Sequence, residues 1–372
     1  MTTTLPADAV ALHRITESRR WNVALLAGVV GALLTAGVGY ATGAIRTRTV
    51  PVPALERDLL SPVVTLANAS APGAFVAGTR EVRSSCVVLI AHDPHGMRIS
   101  AGVVVRSDGV LLTTAHTVTG AQSIAATVGG TRHVGAHIVA VDSVSDLAVL
   151  KLDGHGYDAA PLGSALDLRV GDPLVILRPS QGDPLTDAGA DVPGDQASVE
   201  GLGRDIAGPA GTPLADMMAV ATSQAPSLVG GPLLDRHGAV IGINMAPGPA
   251  GRPIEYATPI DLARAIEQQL LSVGRVVPVW LGVEGVDLTV DRARALGVAG
   301  GAVVTKISAG GPAQSAGLRS GDVVVGLDGR VVSSMANLIM ALHARPPWTK
   351  VELAVNRDGA ERTMSAQLAP RP

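Results

Sequence analysis

From about residue 80 to residue 275 the chain is built from short apolar, β-favouring runs. Ala101-Gly102-Val103-Val104-Val105, Gly109-Val110-Leu111-Leu112-Thr113-Thr114 and Leu147-Ala148-Val149-Leu150 are separated by Gly, Asp and Ser turns. Such a pattern specifies an all-β barrel or sandwich. At 372 residues the chain exceeds one small core and divides into two or three units of ordinary domain size. Aromatic residues make up only 2%, so the core is aliphatic and few rings are left to stack on bases or sugars. A net charge of -3 gives no footprint for nucleic acid, which is excluded as a partner class.

Residues 1–20 are polar and carry Arg14, Arg19 and Arg20 just before an uncharged stretch from Trp21 to Ile45. That stretch exceeds the roughly 20 residues a helix needs to cross a bilayer, and the apolar core of a cleaved signal peptide is shorter, about 7–15 residues. A single-pass anchor over 21–45 is therefore expected, with a cleaved signal peptide as the competing assignment. Arginines flank both ends, Arg46 and Arg48 included. The basic amino-terminal flank places residues 1–20 in the cytoplasm and the chain beyond residue 45 outside it. Residues 46–79, mixed in Pro, Ala and Thr, suit a tether. Cys86 is the only cysteine and lies in the apolar run Cys86-Val87-Val88-Leu89-Ile90, the setting of an inert core thiol.

Gly182 to Asp195 is acidic and turn-rich and is expected as a solvated loop, its carboxylates lacking calcium-loop spacing. Asp261 to Val273 predicts a helix, with Asp261 as cap and Leu262, Ile266, Leu270 and Val273 on one face. It closes a first folded unit over 80–275. A second unit over 276–372 returns to short strands, with a helical stretch near Ser334–His343 and a strand at Val351–Val355.

Three separated features point to acyl-transfer chemistry. Thr114-Ala115-His116 follows a strand, Asp146 opens the run Leu147-Ala148-Val149-Leu150, and Ser227-Leu228-Val229-Gly230-Gly231-Pro232-Leu233 comes later. A general base, an acid that orients it and a nucleophile loop are the parts such catalysis needs. Together with Ser100-Ala101-Gly102, Leu168-Arg169-Val170-Gly171-Asp172, Val240-Ile241-Gly242-Ile243-Asn244 and Ala257-Thr258-Pro259-Ile260-Asp261, this series resembles the trypsin-like protease domain of the HtrA family. The resemblance implies a double β-barrel with a cleft between the barrels, His116 at the position of the base and Asp146 at that of its orienter. The family's loop reads Gly-Asn-Ser-Gly-Gly-Pro-Leu. Val229 therefore stands at the nucleophile position and Ser227 where the oxyanion-binding glycine belongs. An alkyl side chain cannot attack a carbonyl, so the resemblance is to a protease without its nucleophile.

Residues 278–368 resemble a PDZ domain of the same family, through Trp280-Leu281-Gly282-Val283 and the run from Gly311-Pro312-Ala313 to Gly321-Asp322-Val323. Trp280, Leu281, Gly282 and Val283 are then the carboxylate-binding loop, with amides that converge on a peptide terminus beside an open strand edge. Apolar side chains of Ala336–Leu342 would set specificity. No cofactor is implied. His92 with His95 and His133 with His137 lack further ligands nearby, so no metal site is expected.

The sequence thus predicts a mainly β protein: a transmembrane helix, a trypsin-like double barrel and a PDZ domain. The expected function is that of a membrane-anchored HtrA-like pseudoprotease binding polypeptides or protein C-termini. The alternative is an active serine endopeptidase with a displaced nucleophile, Thr222, Ser223 or Ser227. Proteases of the family commonly trimerise through an aromatic amino-terminal segment. Phe75 is the sole phenylalanine, so that interface does not transfer, and a homo-oligomer is an expectation of the resemblance alone.

Overall fold

The computed structural model describes residues 82–94, 96–177, 194–211, 213–223, 228–248 and 252–371. The expected membrane span over 21–45 and its tether lie outside these residues, as do His95, Ser227 and most of the acidic loop. Among the described residues no helix is long and apolar enough to cross a membrane.

Two six-stranded barrels come first. Strands β1 (Cys86–Asp93), β2 (Gly96–Val104), β3 (Val110–Thr114), β4 (Ser123–Val128), β5 (Arg132–Asp142) and β6 (Leu147–Leu152) close in the order β1-β2-β3-β6-β5-β4. Strands β7 (Pro173–Ile176), β8 (Asp195–Ala207), β9 (Pro213–Thr222), β10 (Pro232–Leu234), β11 (Val240–Pro247) and β12 (Ile254–Pro259) close as β10-β11-β12-β9-β8-β7. The second ring repeats the connectivity of the first.

The continuous apolar runs of the sequence have a physical cause in this arrangement. Side chains alternate across a strand, and here both faces are covered. On β6, Ala148, Leu150 and Leu152 fill the first barrel, while Leu147 and Val149 turn outward. These join Leu112, Leu177, Met217, Leu234 and Ile243 in a core between the barrels. Leu174, Ile176, Met218, Val220 and Ile241 fill the second barrel.

Helix α1 (Ala115–Val118) follows β3, and α2 (Ile260–Val273) follows β12. Two expectations for α2 need correction. Pro259 occupies the cap, and the Asp261 carboxylate instead accepts from the Ser164 hydroxyl and the Ala165 amide, so it ties the helix to a distant segment. Ile260, Ala263, Ile266 and Leu270 enter the inter-barrel core, whereas Val273 is 62% exposed. Gly274 ends the helix at φ 72° in the left-handed conformation, and the contact surface ends with it.

The last unit is built on the sheet β14-β15-β16-β18-β19, made of Val283–Asp287, Ala302–Ile307, Val323–Leu327, Lys350–Arg357 and Ala360–Gln367. The short β17 (Arg330–Val331) pairs with β16, and β13 (Val279–Trp280) pairs with β20 (Ala369–Pro370). Helices α3 (Val290–Leu296), α4 (Pro312–Ser315) and α5 (Met335–His343) complete it. Ser334 caps α5 by accepting from the Asn337 amide, as the boundary read from sequence requires. Val304, Leu318, Val324, Leu338, Val351 and Leu353 form its own core.

Asp322 is 1% exposed and accepts both forks of the Arg357 guanidinium, at 2.7 and 2.8 Å, and the Arg319 amide at 2.8 Å. Burial alone would push this carboxyl up. The hydrogen bonds and the two guanidinium charges outweigh it and hold the group below the usual carboxylate range. A depressed carboxyl contributes stability above its unfolded value and loses it as pH falls through the folded one. The denaturant midpoint of the full chain is therefore expected to fall on acidification below about pH 4. In Asp322→Asn the neutral-pH midpoint is lower and its acid dependence shallower. An unchanged pH profile in that variant contradicts the assignment.

Candidate active site and peptide groove

Asp146 grips the start of α1 at three points. Its main-chain oxygen accepts the Ala115 amide at 2.8 Å, its Oδ1 accepts the His116 amide at 2.8 Å, and its Oδ2 meets His116 Nδ1 at 2.7 Å. To reach all three, Asp146 adopts φ 54°, a left-handed conformation that aspartate tolerates better than most residues. An ionised carboxylate only accepts, so Nδ1 carries the hydrogen and Nε2 presents its lone pair. The side chain of Asp146 is 6% exposed and that of His116 33%. The carboxylate is sealed while the imidazole opens to a cleft. That cleft, about 310 Å³, is lined by Arg98, His116, Thr119 and Ser143 on one side and by Pro209 and Leu214 of the second barrel on the other.

The Gly-Gly-Pro loop is fixed just as firmly. Val229 O accepts the Ala101 amide at 2.8 Å, Gly230 N donates to Asn244 O at 2.6 Å, and Asn244 N donates to Gly231 O at 2.8 Å. Thr113 Oγ1 donates to Ala101 O at 2.6 Å, which sets the strand that the loop rests on. Gly230 sits at φ 87°, and a Cβ there would lie 2.1 Å from Ala101 O. No other residue fits.

The structure thus brings His116 and Asp146 together beside a cleft and holds the backbone of Val229–Gly231 in a defined place. Among the described residues no hydroxyl hydrogen-bonds the imidazole of His116. Of the displaced nucleophiles considered, Thr222 is buried at the end of β9, Ser223 is exposed, and Ser227 lies outside the described residues. Among those residues no cluster of His, Cys, Asp or Glu could hold a metal ion. His133 instead meets the Thr127 hydroxyl, and His137 pairs with Asp153. The Cys86 thiol is pushed up to about 12 by burial, against a smaller opposing pull from Arg83, which removes it from nucleophilic chemistry.

In the last unit, Trp280 pairs with Ala369 and Val283 opens β14 opposite Ile307. The carbonyls of Leu281 and Gly282 are turned inward, onto the Ala313 and Ser308 amides at 2.8 and 2.9 Å. Gly282 has φ 85°, with the Trp280 ring 3.2 Å from where its Cβ would be. β14 ends its sheet, so one edge is open to an added strand. Of the helix expected to set specificity, Asn337, Leu338, Met340, Ala341 and Leu342 are buried, and Ala336 and Ile339 are half-buried.

Sequence reading missed one pair altogether. His343 Nδ1 on α5 binds Asp216 Oδ2 on β9, with no local signal to announce partners so far apart in the chain.

Family models agree with both units. A trypsin-like peptidase domain matches residues 100–243 and a PDZ domain matches residues 280–368. The "Putative serine protease HhoA" of Synechocystis sp. is 34% identical over 252 residues, covering 64% of this chain and 62% of the relative. The "Probable periplasmic serine endoprotease DegP-like" of Halomonas elongata is 30% identical over 290 residues, covering 76% and 58%. The chain thus spans about three fifths of the length of these relatives. A solved structure, "HtrA-type protease AlgW with tripeptide", is 28% identical with a TM-score of 0.50, over 80% of this chain and 97% of that one.

Replacing Gly230 by alanine is expected to destabilise the full chain by about 1–3 kcal/mol in chemical denaturation, through forced backbone strain. A variant as stable as the parent contradicts the described loop. By barrel topology, paired His116 and Asp146, and both family matches, the chain combines a trypsin-like peptidase domain with a PDZ domain and is similar to proteases of the HtrA type.

Proposed function

We propose that this chain is an HtrA-like pseudoprotease that captures polypeptides. The observation that carries the reading is Val229 at the nucleophile position of a loop whose Gly230-Gly231 frame is intact. Loss of the nucleophilic serine costs about 2 × 10⁶ in turnover in subtilisin, and a branched alkyl group also fills space a water would need. His116 and Asp146 are then vestigial base and orienter. Ser227 alters the oxyanion loop as well, since a residue with a Cβ does not share glycine's backbone freedom.

Capture is assigned to the PDZ unit. Trp280, Leu281, Gly282 and Val283 receive a terminal carboxylate on their amides, and the open edge of β14 pairs with the incoming strand. The ligands are protein C-termini or unfolded segments, and the role is that of adaptor, sensor or holdase in envelope protein quality control. A single-pass anchor over residues 21–45 holds both folded units outside the cytoplasm. The word "periplasmic" in the names of several relatives agrees with that placement.

A fluorophosphonate probe tests the lost chemistry. The full chain is expected to stay unlabelled, and Val229→Ser gains label if the oxyanion loop still works. Labelling of the parent that survives in Val229→Ala contradicts the proposal. For the groove, titration with a peptide bearing a free carboxylate should give at least about tenfold tighter binding than its C-terminal amide, because charge-assisted hydrogen bonds are lost. Equal affinities would place capture elsewhere.

A further inference from the structure

The turn Pro346-Pro347-Trp348-Thr349, between α5 and β18, holds one residue in a conformation its side chain disfavours. Trp348 has φ 68°, in the left-handed region where a bulky residue is an outlier. Hydrogen bonds fix it there. Its amide donates to Leu368 O at 3.0 Å, and its carbonyl accepts from Gln367 Nε2 at 3.3 Å. The Leu368 amide donates to Thr349 O at 2.9 Å, and the Thr349 hydroxyl donates to Pro346 O at 2.8 Å. Leu368 belongs to the core of the PDZ unit, so the turn is anchored from within. The indole itself packs little, for Trp348 is 64% exposed. Trp280, by contrast, lays its ring on Gly282 and Gly311. Strain imposed at a residue whose side chain is left in solvent points to a role outside the fold.

The same turn borders a shallow cleft of about 370 Å³. One wall is α4, through Pro312 and Ser315, and the other is the sheet face that carries Lys350, Ser365 and Gln367. Lys350 and Gln367 are cross-strand partners, and Ser365 shares a face with Gln367. Gln367 is the residue that donates to the Trp348 carbonyl, which ties the turn to the cleft. Lys350 is the one charged residue of the lining. Among the described residues neither its ammonium nor the Ser365 hydroxyl has a partner. Nothing from Trp280–Val283, β14 or α5 lines this cleft, so it is separate from the groove assigned to peptide carboxylates.

The chemistry of the surface selects its ligand. An open ring face beside hydroxyl, amide and ammonium groups matches a pyranose, which has an apolar C–H face and a rim of hydroxyls. The single cation favours a sugar that carries a carboxylate. A lipid chain would leave these polar groups unpaired. A membrane would also be met by several apolar side chains, and Trp348 is the only large exposed one among the described residues of 332–371.

We propose that Trp348 and the cleft of Lys350, Ser365 and Gln367 form a binding site for an acidic glycan, with one sugar ring stacked on the indole and its carboxylate on the Lys350 ammonium. The assignment of the glycan rests on the proposed placement of the folded units outside the cytoplasm, where the acidic polysaccharide at hand is cell wall, N-acetylglucosamine alternating with N-acetylmuramic acid. Because the turn is fixed, the ring is presented already oriented and little freedom is lost on binding. The PDZ unit is thereby held at the wall while the edge of β14 stays free for polypeptide.

Isothermal titration calorimetry on the purified full chain tests this with a tetrasaccharide of alternating N-acetylglucosamine and N-acetylmuramic acid. Chitotetraose, with the same linkages and N-acetyl groups but no carboxylate, is the comparison. Saturable binding of the acidic strand is expected, with chitotetraose about threefold weaker, as befits an exposed ion pair. Lys350→Gln removes that preference. Trp348→Asn, a residue that tolerates the left-handed region, is expected to weaken both ligands at least about tenfold through loss of the ring, with a denaturant midpoint no lower than the parent's. Hydrolysis plays no part in the titration, so a negative result leaves the lost-nucleophile reading standing, and fluorophosphonate labelling would leave the glycan site standing. A parent that binds neither oligosaccharide, or a Trp348→Asn variant that binds as the parent does, overturns the site. Binding to anionic phospholipid vesicles that Trp348→Asn abolishes, without oligosaccharide binding, assigns the ring to a lipid surface and overturns it equally.

Discussion

The backbone of residues 229–231 is shared between two barrels, and the rest of the peptidase unit depends on that sharing. Val229 bonds to β2 of the first barrel through Ala101, while Gly230 and Gly231 bond to β11 of the second through Asn244. A glycine is the only residue that lets the chain pass so close to Ala101 and Thr113. The same strands carry the inter-barrel core, so the frame is set by packing of Leu112, Leu147, Leu234 and Ile243 and not by any catalytic group. This explains how the frame persists with valine at its first residue: nothing in the loop's own hydrogen bonds requires a hydroxyl.

The His116–Asp146 pair is preserved by a comparable logic. Two of the three contacts that Asp146 makes are to main-chain amides, so the aspartate shapes the turn into α1 as well as orienting the ring. The pair therefore has a structural role that does not depend on a nucleophile. Retention of these two residues is therefore no argument for hydrolysis.

Both barrels were readable from sequence because several of their strands, β3, β6 and β11 among them, are buried on both faces. That produces unbroken Val, Leu and Ile runs punctuated by turn residues. His116, Asp146 and Val229 were singled out by their order and flanking residues, and the structure pairs the first two and fixes the backbone of the third. Asp261 was misread because a carboxylate at a helix start looks the same locally whether it caps its own helix or binds Ser164 far along the chain. Val273 continued the apolar period past the point where the helix stops touching the core. The link between Asp216 and His343 was invisible for a related reason: docking of one folded unit on another leaves no period in either sequence.

The central claim, that the cleft holds a base with nothing to activate, is tested most directly by hydrolysis of an unfolded polypeptide such as casein, comparing the parent chain with His116→Ala. Identical background rates in both are predicted. A parent rate above background that disappears in His116→Ala would show that the imidazole still serves a nucleophile, and would contradict the account.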